Sequence, residues 1–151
     1  MNQPPSFVAP SIDELQPLFP AYKLEEFLAQ GGMGAVYKAT QISLDRSVAI
    51  KILPREFGAN ESFHQAFRSE AKAMARLNHP ALIGVYDFGE IGGMLFLVME
   101  FVGGGSLHNA CHDEFISPQR AGQIVGAICR GLANAHEGGV LHRDIKPANI
   151  L

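Results

Sequence analysis

The sequence has few cysteines, no excess of basic residues and no long apolar run, and each absence excludes a class of protein. Two cysteines in 151 residues exclude a disulfide scaffold, and no Cys-x-x-Cys pair is present for zinc binding or thiol exchange. A net charge of −3 argues against nucleic acid as a partner. No stretch of about 18 apolar residues or secretory signal is present, so we expect no membrane segment within this chain. Because 47% of the residues are apolar and 18% are charged, the composition predicts a folded cytoplasmic domain.

Proline and glycine divide the first two thirds of the chain into segments. Five prolines within residues 1–20 predict a flexible, extended leader outside the core. Residues 21–102 alternate short apolar stretches with glycine turns, which predicts one strand-rich domain with a helix over 60–78. Five strands are predicted in this domain, at 22–28, 35–40, 47–53, 83–88 and 94–101.

Three successive glycines, Gly103 to Gly105, mark a boundary, and the pattern after them is helical. Residues 103–151 are predicted to begin a second domain, with a short helix near 107–114. A long helix over 118–136 follows, with Ser117 as its N-cap and Pro118 at its first position. Cys129 lies next to the apolar stripe of this helix and is predicted to be a small buried side chain.

The glycine cluster Gly31-Gly32-Met33-Gly34 is the first candidate binding feature. Glycines let backbone N–H groups approach phosphate oxygens, because no Cβ stands in the way. A dinucleotide-binding loop would open a helix here, and a P-loop would continue as Gly-Lys-Ser/Thr. The next residues instead have strand character, which favours a strand–turn–strand flap over a nucleotide. An ordinary hairpin turn explains the same pattern equally well.

Lys51 and Glu70 form the second candidate. Lys51 lies inside an apolar strand, and Glu70 shares the spacing of the apolar helix positions Phe67 and Met74. Burying either charge alone is costly, so an ion pair between them would satisfy both and fix the lysine for phosphate binding. The alternative is that each side chain reaches solvent separately.

The third candidate is a cluster of polar residues that follows the end of the long helix and precedes the apolar pair Ile150-Leu151. This pattern predicts a loop that presents side chains. Asp144 could accept a hydroxyl proton, Lys146 could balance phosphate charge, and Asn149 could offer an oxygen to Mg²⁺. A solvated turn with a chance mixture of charges is the alternative.

These segments together resemble the protein kinases, most closely the bacterial serine/threonine type. Three motifs occur in the family's order: L-A-Q-G-G-M-G-A-V at 28–36, V-A-I-K at 48–51 and H-R-D-I-K-P-A-N at 142–149. The resemblance covers 22–151. It implies an α+β fold, with a five-stranded antiparallel sheet and one main helix in an N-lobe, followed by the first helices of a C-lobe.

The resemblance implies that ATP and Mg²⁺ are the cofactors and that proteins with Ser or Thr hydroxyls are the substrates. It implies Asp144 as catalytic base, Lys146 near the γ-phosphate, Lys51 on the α- and β-phosphates, Glu70 as the partner of Lys51, and Asn149 as a Mg²⁺ ligand. Self-phosphorylation and a homodimer stay open. The remaining ATP contacts that it implies are Leu28, Ala29, Gln30, Gly31, Gly32, Met33, Gly34, Val36 and Ala49, with Met99, Glu100 and Val102 at the hinge.

The sequence departs from the family pattern in three places. Ala29 stands where the first glycine of the flap is expected, and Ser106 stands where many relatives place an acidic residue on the ribose. No Asp-Phe-Gly follows the third motif, so we expect the second protein ligand of Mg²⁺, and any membrane anchor, beyond residue 151. The chain is accordingly expected to be an inactive fragment of a kinase. A pseudokinase, a nucleotide-binding scaffold and a small-molecule phosphotransferase of the aminoglycoside-kinase type remain as alternatives.

His108, Cys111 and His112 have the i, i+3, i+4 spacing of metal ligands on a helix. Three ligands without a fourth are more typical of a plain helix surface than of a metal site.

Overall fold

The computed structural model describes residues 7–31, 34–113 and 115–151, which form two compact units. The first unit contains the chain up to Lys72 and Val85–Phe101, and the second contains Ala73–Gly84 and Val102–Leu151. The predicted boundary after residue 102 lies close to the end of the first unit. Residues 73–84, however, belong to the second unit and not to the predicted first domain.

The first unit is built on a five-stranded antiparallel sheet with the strand order β1-β2-β3-β5-β4. The predicted α+β class and the number of strands are therefore confirmed. Each strand lies within a few residues of its predicted position, and the largest shift is at β4. The strands are β1 Tyr22–Gly31, β2 Gly34–Gln41, β3 Arg46–Ile52, β4 Val85–Ile91 and β5 Met94–Glu100.

Alternation along β3 shows how the two faces of the sheet differ. Val48, Ile50 and Ile52 are fully buried in the core cluster of this unit, whereas Lys51 is half-buried. Since successive side chains of a strand point to opposite faces, Lys51 lies on the face opposite that core.

The core face of the sheet is covered by the segment that precedes β1. Helix α1, Ile12–Leu15, is followed by a 3₁₀ turn, Gln16–Leu18, and both Leu15 and Phe19 are buried in the core cluster. The structure thus corrects the prediction of an extended leader outside the core. The prolines suggested an unpaired chain, but the apolar residues between them bury their side chains against the sheet. Residues 1–6, also part of that prediction, lie outside the described residues.

A serine begins α1. Ser11 Oγ accepts a hydrogen bond from the Glu14 amide at 3.3 Å, and Glu14 Oε2 accepts one from the Ser11 amide at 2.7 Å. This capping box satisfies two backbone donors that a helix of only four residues would otherwise leave free.

Two helices join β3 to β4. Helix α2 is Arg55–Gly58 and α3 is Glu61–Met74, so the predicted helix over 60–78 ends earlier than expected. Asn60 Oδ1 accepts a hydrogen bond from the Phe63 amide at 3.0 Å, which fixes the start of α3. Phe67 of α3 contacts Phe88 of β4 edge to face, with ring centroids 6.4 Å apart.

The second unit contains α4, Leu107–Asp113, and α5, Pro118–Glu137. Ser117 caps α5 as predicted, since its Oγ accepts a hydrogen bond from the Arg120 amide at 3.2 Å. Glu114, at the predicted end of the short helix, lies outside the described residues. Cys129 is exposed, so its predicted burial is wrong. In the described part of the chain, no helix is both long and apolar enough to cross a membrane.

Candidate functional site

The glycine cluster lies at the end of the hairpin formed by β1 and β2. Gly31 pairs with Gly34, and the strand–turn–strand geometry predicted for this segment is present. Gly34 has φ +128°, and a Cβ there would overlap the carbonyl oxygen of Ile52. Only glycine fits at this position. Gly32 and Met33, both predicted to contact ATP, lie outside the described residues.

The other residues predicted to contact ATP from this hairpin lie in the paired strands. Ala29 pairs with Val36, and Gln30 pairs with Ala35. Leu28 keeps 38% of its surface exposed. The pairing of the two strands is irregular between Phe27 and Ala29, so the methyl group of Ala29 lies directly after a shift in register.

Lys51 lies beside Val36 on β2 and Leu97 on β5. No ion pair or hydrogen bond of the Lys51 or Glu70 side chain occurs within the described residues, so the predicted Lys51–Glu70 pair is absent. The physical reason is the rotation of α3, which leaves Glu70 exposed while its neighbour Ala71 is fully buried. Each charge reaches solvent on its own, which is the alternative given by the sequence.

The predicted hinge residues lie in the last two positions of β5 and just after the strand. Met99 pairs with Ala49 on β3, and Ala49 is buried. Glu100 pairs with Val48 and is the last residue of β5. Val102 is the first residue of the stretch Val102–Leu151, which belongs to the second unit.

The loop that carries the third motif is fastened at both ends within the second unit. The Val140 amide donates to the Ala135 carbonyl of α5 at 2.8 Å. The Leu107 amide of α4 donates to the Ile150 carbonyl at 2.7 Å. A 3₁₀ turn, Pro147–Asn149, shapes the last part of the loop. These bonds hold an exposed polar segment in a defined conformation.

The structure brings together three of the residues predicted from this loop, Asp144, Lys146 and Asn149. Lys146 Nζ lies 2.7 Å from Asp144 Oδ2. Asn149 Nδ2 donates to the same Oδ2 at 3.0 Å and to the Asp144 backbone carbonyl at 2.8 Å. No hydrogen bond to Asp144 Oδ1 occurs within the described residues. This oxygen can therefore accept a hydrogen bond from a donor outside the cluster.

These contacts lower the pKa of Asp144. The hydrogen bond from Lys146 is the main cause, followed by the hydrogen bond from Asn149, and the charges of Lys146 and His142 act in the same direction. The slight burial of the carboxyl group opposes them. Asp144 is therefore ionised throughout the neutral range and can act as a hydrogen-bond acceptor there.

Asn149 fits one position of a magnesium site. Its Nδ2 is used by Asp144, so its Oδ1 remains available, and Mg²⁺ prefers oxygen ligands. The described residues contain no group of three or more His, Cys, Asp or Glu side chains arranged for a metal ion. The side chains described therefore supply part of such a site and not all of its ligands.

The two residues that precede Asp144 in the sequence shape the loop. His142 Nδ1 accepts a hydrogen bond from the Asp144 amide at 3.3 Å, and Arg143 has a left-handed backbone with φ 62°. A left-handed conformation costs a non-glycine residue roughly 1–2 kcal/mol. The i, i+2 spacing of His142 and Asp144 is the sequence signal for the hydrogen bond between them.

Ser106 and the two histidines of α4 have structural contacts of their own. The Asn109 amide donates to Ser106 Oγ at 3.4 Å, at the start of α4. His108 and His112 contact each other edge to face, with centroids 4.7 Å apart, and Cys111 is exposed.

Comparison with known proteins relates these two units to one family. The family model described as "Protein kinase domain" matches residues 22–151. Serine/threonine-protein kinase PknB of Mycolicibacterium smegmatis is 43% identical over 141 residues, which cover 90% of this chain and 23% of that protein. Serine/threonine-protein kinase pkn3 of Myxococcus xanthus is 42% identical over 132 residues, covering 86% of this chain and 24% of that protein.

Solved structures show the same relationship. The crystal structure of the PknI kinase domain of Mycobacterium tuberculosis superposes with a TM-score of 0.73 at 33% identity. The match covers 85% of this chain and 53% of that one. The chain thus spans about a quarter of these curated relatives and about half of this solved kinase domain. With a family model that matches residues 22–151, and with the predicted fold confirmed, the chain belongs to the protein kinase family.

Proposed function

We propose that the protein containing this chain transfers the γ-phosphate of ATP to serine or threonine hydroxyls of proteins. The cluster of Asp144, Lys146 and Asn149 carries this proposal. Phosphoryl transfer depends mainly on positioning and charge stabilisation, and in this cluster an ammonium group and an amide both lie within hydrogen-bond distance of one ionised carboxylate.

Each of the three residues in this cluster has a distinct role in the proposed reaction. Asp144 Oδ1 accepts the hydrogen bond of the attacking hydroxyl and orients its oxygen toward the phosphorus. Lys146 balances charge on the transferred group and, through its contact with Oδ2, holds the carboxylate in place. Asn149 Oδ1 would be one ligand of Mg²⁺, which when bound neutralises phosphate charge.

The first unit would hold ATP. The β1–β2 hairpin supports the proposal that its glycine turn covers the phosphates, since Gly34 brings the backbone close to β3 without a side chain. The Lys51 side chain forms no ion pair or hydrogen bond within the described residues, and it is proposed to bind phosphate oxygens. Ala49, Met99, Glu100 and Val102 are proposed to line the adenine site.

A pair of matched variants tests the proposed reaction. Asp144→Asn keeps the shape of the side chain but removes its negative charge, so transfer from Mg²⁺-ATP to the protein itself or to a general substrate should fall at least about 100-fold. Asp45→Asn makes the same chemical change at an exposed turn, where φ is 47° and asparagine is well tolerated. This control should keep its activity.

The protein should be assayed at its natural full length. Equal transfer by the wild type and Asp144→Asn would contradict the proposed role of Asp144. Tight binding of ATP by the wild type without any transfer would instead show a pseudokinase.

A further inference from the structure

The N-terminal segment, residues 7–19, precedes the part of the chain that matches the kinase family, yet it is hydrogen-bonded to the glycine hairpin. Near the turn, Gln30 Nε2 donates to the Phe7 carbonyl at 2.6 Å. Further along the hairpin, the Tyr37 hydroxyl donates to the Pro10 carbonyl at 2.6 Å. The segment thus contacts both strands of the hairpin.

A third contact fastens the segment at the start of β1. Gln16 Nε2 donates to the Tyr22 carbonyl at 2.8 Å, and Gln16 Oε1 accepts from the Leu24 amide at 2.9 Å. Because a side-chain amide holds two backbone groups at once, this end of the segment is fixed relative to the strand. The contacts therefore extend from the first residues of β1 to the residue before Gly31.

These contacts lie on the core face of the hairpin, opposite the face proposed to bind ATP. Tyr37 is fully buried in the core cluster, so its side chain is on the core face of β2. Its neighbour Val36 is on the other face and pairs with Lys51, the proposed phosphate ligand. The N-terminal segment does not compete with a nucleotide on the Lys51 face, and it can act on the nucleotide only through the hairpin.

We propose that the N-terminal segment positions the glycine hairpin for ATP, with Tyr37 as the positioning residue that connects them. The inference rests on the proposed kinase function. Without the Tyr37 hydroxyl, the Pro10 carbonyl loses its donor and the hairpin is held less firmly. Contacts between the hairpin and the phosphates would weaken equally before and during the reaction, so the KM for ATP would rise while kcat stayed the same.

Tyr37→Phe in the full-length protein tests this inference, because it removes the hydroxyl and keeps the buried ring. The KM for ATP should rise about fivefold, as expected for one lost hydrogen bond, with kcat within about twofold of the wild type. Tyr86→Phe is the matched control: the ring of Tyr86 contacts Arg46, and its hydroxyl forms no hydrogen bond within the described residues. Neither constant should change in this variant.

The split between the two constants separates positioning from simple destabilisation. A variant that only lowers the folded fraction loses kcat and keeps its KM, and that result, like two unchanged constants, would overturn the inference. If Tyr37→Phe does not fold, Gln16→Met removes the side-chain amide that bonds Tyr22 and Leu24, and Gln16 is not among the expected ATP contacts. It should raise the KM and also speed hydrogen exchange at the Leu15 amide, which donates to the Ser11 carbonyl at 3.1 Å within the N-terminal segment. Unchanged exchange would overturn the inference.

The same experiment distinguishes failure of the inference from failure of the proposed function. If the wild type binds ATP but transfers no phosphate, the kinase proposal fails, and the dissociation constant of ATP measured by calorimetry replaces the KM. A fivefold weaker binding by Tyr37→Phe than by Tyr86→Phe would then still support positioning, and equal binding would overturn it. Absence of ATP binding by the wild type would contradict both proposals.

Discussion

Asp144 shows how an exposed carboxyl group acquires a defined chemical state from its neighbours. Two donors share its Oδ2, and the left-handed backbone of Arg143 directs the chain between His142 and Asp144. The motif supplied the residue types and their spacing. The sequence did not show that one oxygen is used inside the loop and the other remains open, because that division depends on side-chain rotamers.

Removing the Lys146 ammonium should raise the pKa of Asp144 toward the ordinary aspartate value. A lowered carboxyl pKa means that the charged form persists as the pH falls, and Lys146 is the main cause of the lowering here. In Lys146→Met the carboxyl group should therefore take up its proton at a higher pH than in the wild type. Carboxyl carbon NMR over roughly pH 2 to 6 measures this directly.

Lys72→Met is the control for that titration, since it removes one lysine charge from α3 and no ion pair of Lys72 occurs within the described residues. An Asp144 titration that Lys146→Met leaves unchanged would contradict the assigned cause. At neutral pH the carboxyl group stays ionised in both proteins. A loss of activity in Lys146→Met at neutral pH would then reflect charge balance or positioning, not protonation of the base.

At the scale of single elements, the glycine hairpin shows that neighbouring glycines have different structural requirements. Gly34 has a positive φ and no space for a Cβ, whereas a Cβ at Gly31 would meet nothing within 4 Å. Sequence alone could not distinguish them, because the obstacle at Gly34 is the Ile52 carbonyl of another strand.

Gly34→Ala should destabilise the fold by at least about 2 kcal/mol, because it combines backbone strain with steric overlap. Gly31→Ala makes the same change in open space, and it should alter the stability by less than about 1 kcal/mol. Urea unfolding followed by far-ultraviolet circular dichroism compares the two. Equal losses of stability would contradict the distinction between the two glycines.

The elements themselves were largely predictable because their signals are local. Strand alternation, the Ser117 cap and the glycine turns all lie within a few residues of what they determine. The incorrect predictions concern rotation and burial. The register of α3 leaves Glu70 exposed, and Cys129 on α5 is exposed although it borders an apolar stripe. A periodic pattern shows which residues share a side of a helix, but not how that side meets its neighbours.

At the scale of the whole molecule, the first unit includes a segment that its prolines suggested was outside the fold. Leu15 is fully buried, and Phe19 contacts Phe96 of β5 edge to face at 5.1 Å between centroids. Composition within residues 1–20 carries no information about that partner. Only the assembled sheet shows that these residues complete its core.

Leu15→Ala should therefore lower the free energy of unfolding by about 2–5 kcal/mol, as expected for a cavity in a packed core. Val8→Ala shortens an apolar side chain in the same segment, but Val8 is 81% exposed, so the change should be below about 0.5 kcal/mol. Urea unfolding of both variants is the measurement. A Leu15→Ala protein as stable as the Val8→Ala protein would show that the segment is not part of the core.

The contact between Phe19 and Phe96 also bears on the order in which the chain folds. During synthesis the N-terminal segment leaves the ribosome before β5, because the β5 residues that it packs against are made much later. Contacts between residues far apart in sequence form slowly, because a long loop must close before they are gained. Leu15 and Phe19 should consequently stay exposed until β5 has joined β3. Docking of the N-terminal segment would then be a late folding step, and the hairpin would reach its final rigidity only after the five-stranded sheet is complete.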